Sequence, residues 1–565
     1  MLHRRAAAWF ASNGAIGDAI HHALQAGDPA WAADKLEALA LDMVKQSHVT
    51  RLQEWLRKLP PEVLASRPRL LLGEVWATFH ISRPLEAARS LTQAKRALAR
   101  NMATGRLSPA EQALLQAELR MLTVGVVSAA NRPVMARRMA ERWRAEMPAD
   151  QPFLTGTLSN IYAFNSYLLA DLPSAREASR RARASHEQAH SIFGILYADI
   201  ILALAEKAEG KLASAASILE RARGAAREAL GPGSYAEALG EVFLGEIHYE
   251  WNDLAGAARL LRGSYEAVAE AATVVHEVTY RFCLARLEAA EGRMDGALAL
   301  LDEPTRMARY PRFRRSFAAL AHERVRLVLH RGDLTAARVT LLGRGLDPDA
   351  APDQRALDCT PLAEFDLMAL ARLWLAEGRT RQADRLLGDL ARRAAGQGRQ
   401  RRVFTLRLLQ SLGRLEAGGA APDTLSPLID ILPLARREGF LRGFLDEGAS
   451  ARRLLDLAES EADAWPSRGA WAEAQPYLDR LTAAFSGRPP DMPAGAAAAA
   501  PSQLSKRELD VVRLLGRGHS NRRLAGELAM APDTVKWHLK NIFGKLGVGS
   551  RSQAILEAQR RGLLI

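Results

Sequence analysis

Apolar residues along most of this chain recur three and four apart, in segments of 12 to 18 residues rich in Ala, Leu, Arg and Glu. That spacing puts one apolar stripe on a helix and leaves the opposite face to water. β-Branched runs and strict alternation are scarce, so the pattern predicts an all-α protein.

Between the helical segments a short turn recurs, followed by small residues: Glu209-Gly210-Lys211-Leu212-Ala213, Trp251-Asn252-Asp253-Leu254-Ala255, Glu291-Gly292-Arg293-Met294-Asp295, Arg331-Gly332-Asp333-Leu334-Thr335 and Glu377-Gly378-Arg379-Thr380-Arg381. The steps between successive Gly or Asn residues are 42, 40, 40 and 46, and Leu169-Ala170-Asp171-Leu172-Pro173 lies 39 before Gly210, in phase. A Gly or Asn there predicts a left-handed residue closing the first helix of a hairpin. Alanines such as Ala215-Ala216, Ala257-Ala258 and Ala336-Ala337 let the second helix approach closely. Each hairpin leaves an apolar face uncovered, so the units must stack into a solenoid. The period exceeds the roughly 34 residues of a tetratricopeptide unit, which predicts longer helices. Such a solenoid offers a concave surface to peptides, proteins or small molecules.

Leu2 to Phe10, then Asp18 to Leu24, are helical from the outset, so the chain is expected to start inside an architecture. A composition break follows Phe485. Residues 486–503 hold four prolines, two glycines and a run of five alanines after Gly495, and little that could be buried. The expected organisation is a tetratricopeptide-like helical solenoid over 1–485, a flexible linker over 486–503 and a small four-helix domain over 504–565.

Composition narrows the class. Apolar residues are 48% and charged residues 25%, enough for a sizeable core. No run approaches the roughly 18 apolar residues of a membrane helix, and Met1-Leu2-His3-Arg4-Arg5 has no apolar stretch after it, unlike a secretory signal. Two cysteines, Cys283 and Cys359, make neither a disulfide framework nor a metal cluster. A cytoplasmic protein without a membrane partner is expected. The net charge is +13, from 77 basic and 64 acidic residues, while the last 62 residues hold 12 Lys or Arg against 5 Asp or Glu. A compact basic module suits a polyanionic partner, or a solubilising surface.

In that module Ser505-Lys506-Arg507-Glu508 reads as a capping box ahead of Val511, Val512, Leu514 and Leu515. Ser520 is a candidate cap for a second helix, Asn521 to Ala529, and Pro532 opens a third, to Leu546, roughly 22 Å long. Two helices joined by a tight turn in a small basic domain make a helix-turn-helix. At about 100° per residue, Val535, Leu539, Ile542 and Leu546 form the buried stripe of the third helix. Trp537 points the opposite way. Thr534, Lys540 and Asn541 share its half, with Lys536 and Lys545 flanking. Lysines beside an outward indole suit DNA, reaching phosphates or guanine edges while the ring packs on a thymine methyl or sugar.

Leu504 to Glu508, Gly518-His519-Ser520-Asn521-Arg522-Arg523-Leu524-Ala525, Thr534 to Ile542 and Lys545 to Arg551 together resemble the LuxR-type helix-turn-helix domain. The resemblance implies double-stranded DNA as partner. It makes Pro532–Leu546 the recognition helix, with Lys536, Trp537 and Lys540 at contact positions, and adds Arg522 as a DNA-binding residue. Ala531, where the family usually has Ser or Thr, Arg523, where an acidic residue is common, and the large Trp537 depart from the pattern. The body resembles MalT-like large regulators of the same family, with Ala435 to Gly448 matching the end of their superhelix. Those regulators carry an ATPase ahead of the superhelix, yet no Gly-x-x-x-x-Gly-Lys-Ser/Thr occurs in these 565 residues. A truncation, a split gene and loss of the module are all compatible with that.

There is also no His-Glu-x-x-His, Cys-x-x-Cys or Gly-x-Ser-x-Gly, so no catalytic, metal or cofactor residues are assigned. The expected function is a transcription regulator, homo-oligomeric when active, contacting DNA through 504–565 and sensing a small-molecule or protein effector on the solenoid. The alternative is an interaction scaffold whose terminal domain does not bind DNA. With no phosphate-cradling loop, the 565-residue chain should show no saturable ATP binding in calorimetry.

Overall fold

A computed structural model describes residues 1–486 apart from 47, 81–83, 149, 232, 266–267, 269–272, 303–312, 314–315, 353–359 and 462–467; beyond 486 it describes 506–516, 523–524, 539, 542 and 551–560. Every regular element among the described residues is a helix. The chain divides into two compact units, Met1–Pro490 and Asp491–Ile565.

The first unit is a stack of helical hairpins. The expected turn residues are all left-handed: Ala170 at φ +63°, Gly210 at +85°, Asn252 at +64°, Gly292 at +82°, Gly332 at +76° and Gly378 at +74°. Two further turns extend the series, at Asn131 (φ +57°), 39 residues before Ala170, and Gly418 (φ +68°), 40 after Gly378. At each of the eight, the amide after the left-handed residue donates to the carbonyl five residues back. Examples are Asp171 to Ser166 at 2.9 Å, Arg293 to Glu288 at 2.8 Å and Arg379 to Trp374 at 2.7 Å. Asp171, Asp253 and Asp333 then cap the second helix by accepting from Ser174, Gly256 and Ala336.

Five residues after the left-handed position stands a wholly buried alanine in seven of the hairpins: Ala136, Ala175, Ala215, Ala257, Ala297, Ala337 and Ala383. This is the close approach that the small residues predict. The longer period lengthens helices in only some of the hairpins. Around Ala170 and Gly210 it lengthens helices, to 17 residues in Leu172–Gln188 and 19 in Leu212–Leu230. Thr380–Gly396 again has 17 residues, whereas Leu254–Gly263 and Leu334–Gly343 have 10 each. Long helices therefore explain only part of the spacing.

Stacking also brings distant hairpins together. Helix Ile192–Ala208 touches both Pro29–Lys45 and Gln400–Glu416. Asn131 Nδ2 meets Ser316 Oγ at 3.5 Å, and Gln46 Nε2 donates to the His190 carbonyl at 3.4 Å. The array is therefore a superhelix whose turns face one another across an interior. First helices of the hairpins line that interior and are buried nearly all round, as in Tyr235–Glu250.

The segment after helix Ala421–Glu438 threads into this interior as a clasp. Trp251 Nε1 donates to the Glu438 carbonyl at 2.8 Å, and the Leu441 amide to the Glu250 carbonyl at 3.0 Å. Phe440 and Phe444 pack on Phe404, with ring centroids 4.8 and 5.4 Å away.

Two glycines test these two features separately. A Cβ on Gly292 would meet nothing within 4 Å, so Gly292→Ala should cost only the left-handed backbone penalty, about 1 kcal/mol. A Cβ on Gly443 would lie 2.5 and 2.9 Å from Phe404 ring carbons, so Gly443→Ala should cost about 1–3 kcal/mol by overpacking. Urea unfolding should place Gly443→Ala as the more destabilised variant.

Candidate DNA-binding module and the charged interior

Among the described residues of the second unit, helix Lys506–Gly516 comes first and Arg551–Arg560 last. Val511, Val512, Leu515, Leu524, Leu539, Ile542, Ala554 and Ala558 form its core, with Leu514 and Ile555 packed alongside. The apolar stripe expected on 511–515 is thus buried, apart from partly buried Leu514. Leu539 and Ile542 are helical and buried, as their place on the inner face of the third helix requires. The candidate contact residues Arg522, Thr534, Lys536, Trp537, Lys540, Asn541 and Lys545 lie outside the described residues, as do Ser505 and the linker from 487.

Sequence reasoning missed a second concentration of chemistry, inside the superhelix. Glu246, Arg286, Arg326 and Arg372 occupy one equivalent position, six residues before the left-handed residue, in four successive hairpins. That recurrence of charge, at steps of 40, 40 and 46 residues, was visible in the sequence. Amphipathic logic hides it, because charged residues are assigned to the wet face.

Each of these charges finds partners on other elements. Arg372 grips Glu447 of the clasp with two bonds, at 2.6 and 2.8 Å. Tyr249 donates to Asp446 at 2.9 Å, Arg326 donates to the Asp446 carbonyl at 2.6 Å, and Arg442 pairs with the Asp446 carboxylate. Arg286 meets Glu323 at 3.1 Å, and Arg401 bridges Glu246 at 3.0 Å and Glu250 at 2.8 Å. Lys207 pairs with Glu246, and Arg399 grips Glu364 at 2.6 and 2.7 Å. Burial alone would raise the Glu246 and Glu447 carboxyls. The guanidinium and ammonium groups around them win, holding both down at about 2.

Burial dominates for the histidines. It lowers His186 to about 4 and His276 to about 3, so both are neutral near pH 7. The His186 ring fits between Gly156 and Gly194, where side chains would collide with it. Cys283 is buried and free, its thiol pushed upward by burial. Among the described residues no group of three or more His, Cys, Asp or Glu is placed to hold a metal ion, and no helix is long and apolar enough to cross a membrane.

Comparison with known proteins fits both units. Residues 117–461 match the family model described as the MalT-like TPR region. The chain belongs to this family. Residues 502–558 match the model described as bacterial regulatory proteins, luxR family. Among whole proteins, the HTH-type transcriptional regulator MalT of Serratia proteamaculans (strain 568) is 26% identical over 583 residues, covering 99% of this chain and 61% of that protein. MalT of Yersinia pestis (strain Pestoides F) is 26% identical over 591 residues, with the same coverage. The serine/threonine-protein kinase PknK of Mycobacterium tuberculosis (strain ATCC 25618 / H37Rv) is 30% identical over 452 residues, 79% of this chain and 39% of the kinase. The chain thus spans about three fifths of the MalT regulators it matches and two fifths of the kinase.

Within this MalT-like region the Arg372–Glu447 pair isolates the clasp. Arg372→Ala should cost about 3–5 kcal/mol by stranding a buried carboxylate. The Arg372→Ala, Glu447→Ala double variant should lose clearly less than the sum of the two single losses in urea unfolding.

Proposed function

We propose that this chain is a DNA-binding transcription regulator, with DNA contact in 504–565 and effector sensing in the superhelix. The observation that carries the reading is the luxR-family match over 502–558, joined to the burial of Leu539 and Ile542. On the proposed recognition helix over 532–546, the helical period assigns Trp537 and Lys540 to the side opposite that stripe, with Lys536 flanking. Arg522, Thr534, Asn541 and Lys545 complete the proposed contact set, the cations meeting phosphates and the others supplementing base or backbone contacts. One helix-turn-helix reads few base pairs, so a useful operator needs two modules about one DNA turn apart. Self-association of the repeat regions is the proposed means of bringing them together. The proposed location is the cytoplasm, and the proposed role is non-enzymatic; the kinase activity in PknK's name is that protein's own.

Filter binding of the full chain to genomic fragments tests this reading. Affinity should fall steeply with salt, each phosphate-contacting Lys or Arg adding about 0.9 to the log–log slope. The Lys536→Ala, Lys540→Ala double variant should bind more weakly with a shallower slope, and Trp537→Ala should change which fragments are retained. Unchanged retention by the double variant would remove the assignment of this face.

A further inference from the structure

Two cavities adjoin inside the superhelix, of about 160 Å³ and about 230 Å³, sharing Leu168, Val274, Val275, Ser316 and Leu362 in their walls. Their chemistry differs sharply. The smaller is walled by aromatic rings, among them Trp76, Phe153, Phe193 and Phe243. Two buried polar side chains in this wall, besides His186, are left incomplete. Asn160 Nδ2 donates to the Gly194 carbonyl at 2.9 Å, and its Oδ1 has no partner. His276 Nδ1 meets Thr273 Oγ1 at 2.7 Å, and its Nε2 has none. Unmatched polar atoms this deep are costly unless something fills the space beside them.

The larger cavity carries an excess of positive charge. Among its described lining residues, Lys207, Arg286, Arg372, Arg399, Arg401 and Arg402 face Glu246, Glu250, Asp446 and Glu447. Including Arg326, Arg442, Glu323 and Glu364 from the surrounding network leaves the same excess of two cations. Arg402 is the least satisfied of them. Its carboxylate neighbour, Glu364, stands 3.6 Å away and is already held by both arms of Arg399. What remains to it is the Phe365 ring, 4.0 Å from the guanidinium carbon, and the weakly accepting Met368 sulfur. A largely buried guanidinium with an aromatic face, whose carboxylate neighbour is already doubly bonded elsewhere, is a ready anion site.

We propose that the joined cavities bind a small amphiphilic carboxylate, its apolar body among the aromatic rings and its carboxylate on Arg402. The inference rests on reading the superhelix as the sensory part and gives that part a ligand class. Apolar burial in the aromatic end supplies affinity, while the cation excess selects the charged head. Asn160 and His276 add polar contacts for a ligand carrying a hydroxyl or amide along its body.

Calorimetry of the full chain with octanoate and with 4-phenylbutyrate tests this, against octanamide, acetate and inorganic phosphate. At least one of the two carboxylates should bind saturably, and octanamide, acetate and phosphate at least tenfold more weakly. Arg402→Gln should reduce carboxylate binding at least tenfold while leaving the thermal midpoint of the free protein unchanged or raised, since an undermatched cation has been removed. A structural arginine would instead lower that midpoint. Equal binding of octanoate and octanamide would overturn the placement of the head. Acetate or phosphate binding as tightly as octanoate would reduce the site to a simple anion hole and overturn the amphiphile. No binding by either carboxylate would overturn the proposal outright. Repeating the DNA titration with the bound carboxylate separates the two readings: a ligand that binds but leaves DNA affinity unchanged keeps the site and removes the sensory role.

Discussion

The hydrogen bond across each left-handed turn, from the residue after the turn back to a carbonyl five residues earlier, fixes where the second helix of a hairpin departs. It is made at all eight turns from Asn131 to Gly418, whether the left-handed residue is Gly, Asn or Ala. Departure at a constant point lets a buried alanine recur five residues on, and that alanine sets how closely the paired helices lie. A constant hairpin then stacks with a constant rotation, and a constant rotation curls the stack until its turns meet. The interior, with its cavities and its charges, is a consequence of that local geometry.

Charges inside such a structure bring little net stability, because losing water offsets most of what pairing gains. What they impose is register. Glu250 accepts from Arg401, and Arg372 holds Glu447, because only one wrapping of the superhelix places each charge beside its opposite. The clasp works in the same way, with Asp446 taking bonds from Tyr249 and Arg442 on its carboxylate and from Arg326 on its carbonyl. The excess of cations around Arg402 is the exception within this matching. That is why a ligand of opposite sign is the natural complement there.

Much of the fold was legible because its signals are local. A Gly or Asn turn followed by small residues, recurring every 40 or so positions, needs no distant partner to be recognised, and the series from Gly210 to Gly378 follows from it. Ala170 itself was found only by phase, since alanine is a poor left-handed residue. The stripe of Leu539 and Ile542 was likewise readable from helical period alone. The interior was not. Arg286, Arg326 and Arg372 look like solvated helix faces until the hairpins are wrapped, and the wrap depends on small rotations accumulated over many residues. The contact face at Lys536, Trp537 and Lys540 rests on sequence pattern and family resemblance.

The clasp also has a temporal side. Asp446 follows Tyr249 by 197 residues, so on a ribosome adding about 5–20 residues per second it emerges roughly 10–40 s later. Throughout that delay the helix bearing Glu246 and Glu250 has been made but Asp446 has not, and Arg401 appears only in the last quarter of it. A wholly apolar inner wall would spend those seconds as a sticky surface. Carboxylates and guanidinium groups on it hold water instead, so the residues that later fix the register also keep the unfinished chain wetted while it waits for its end.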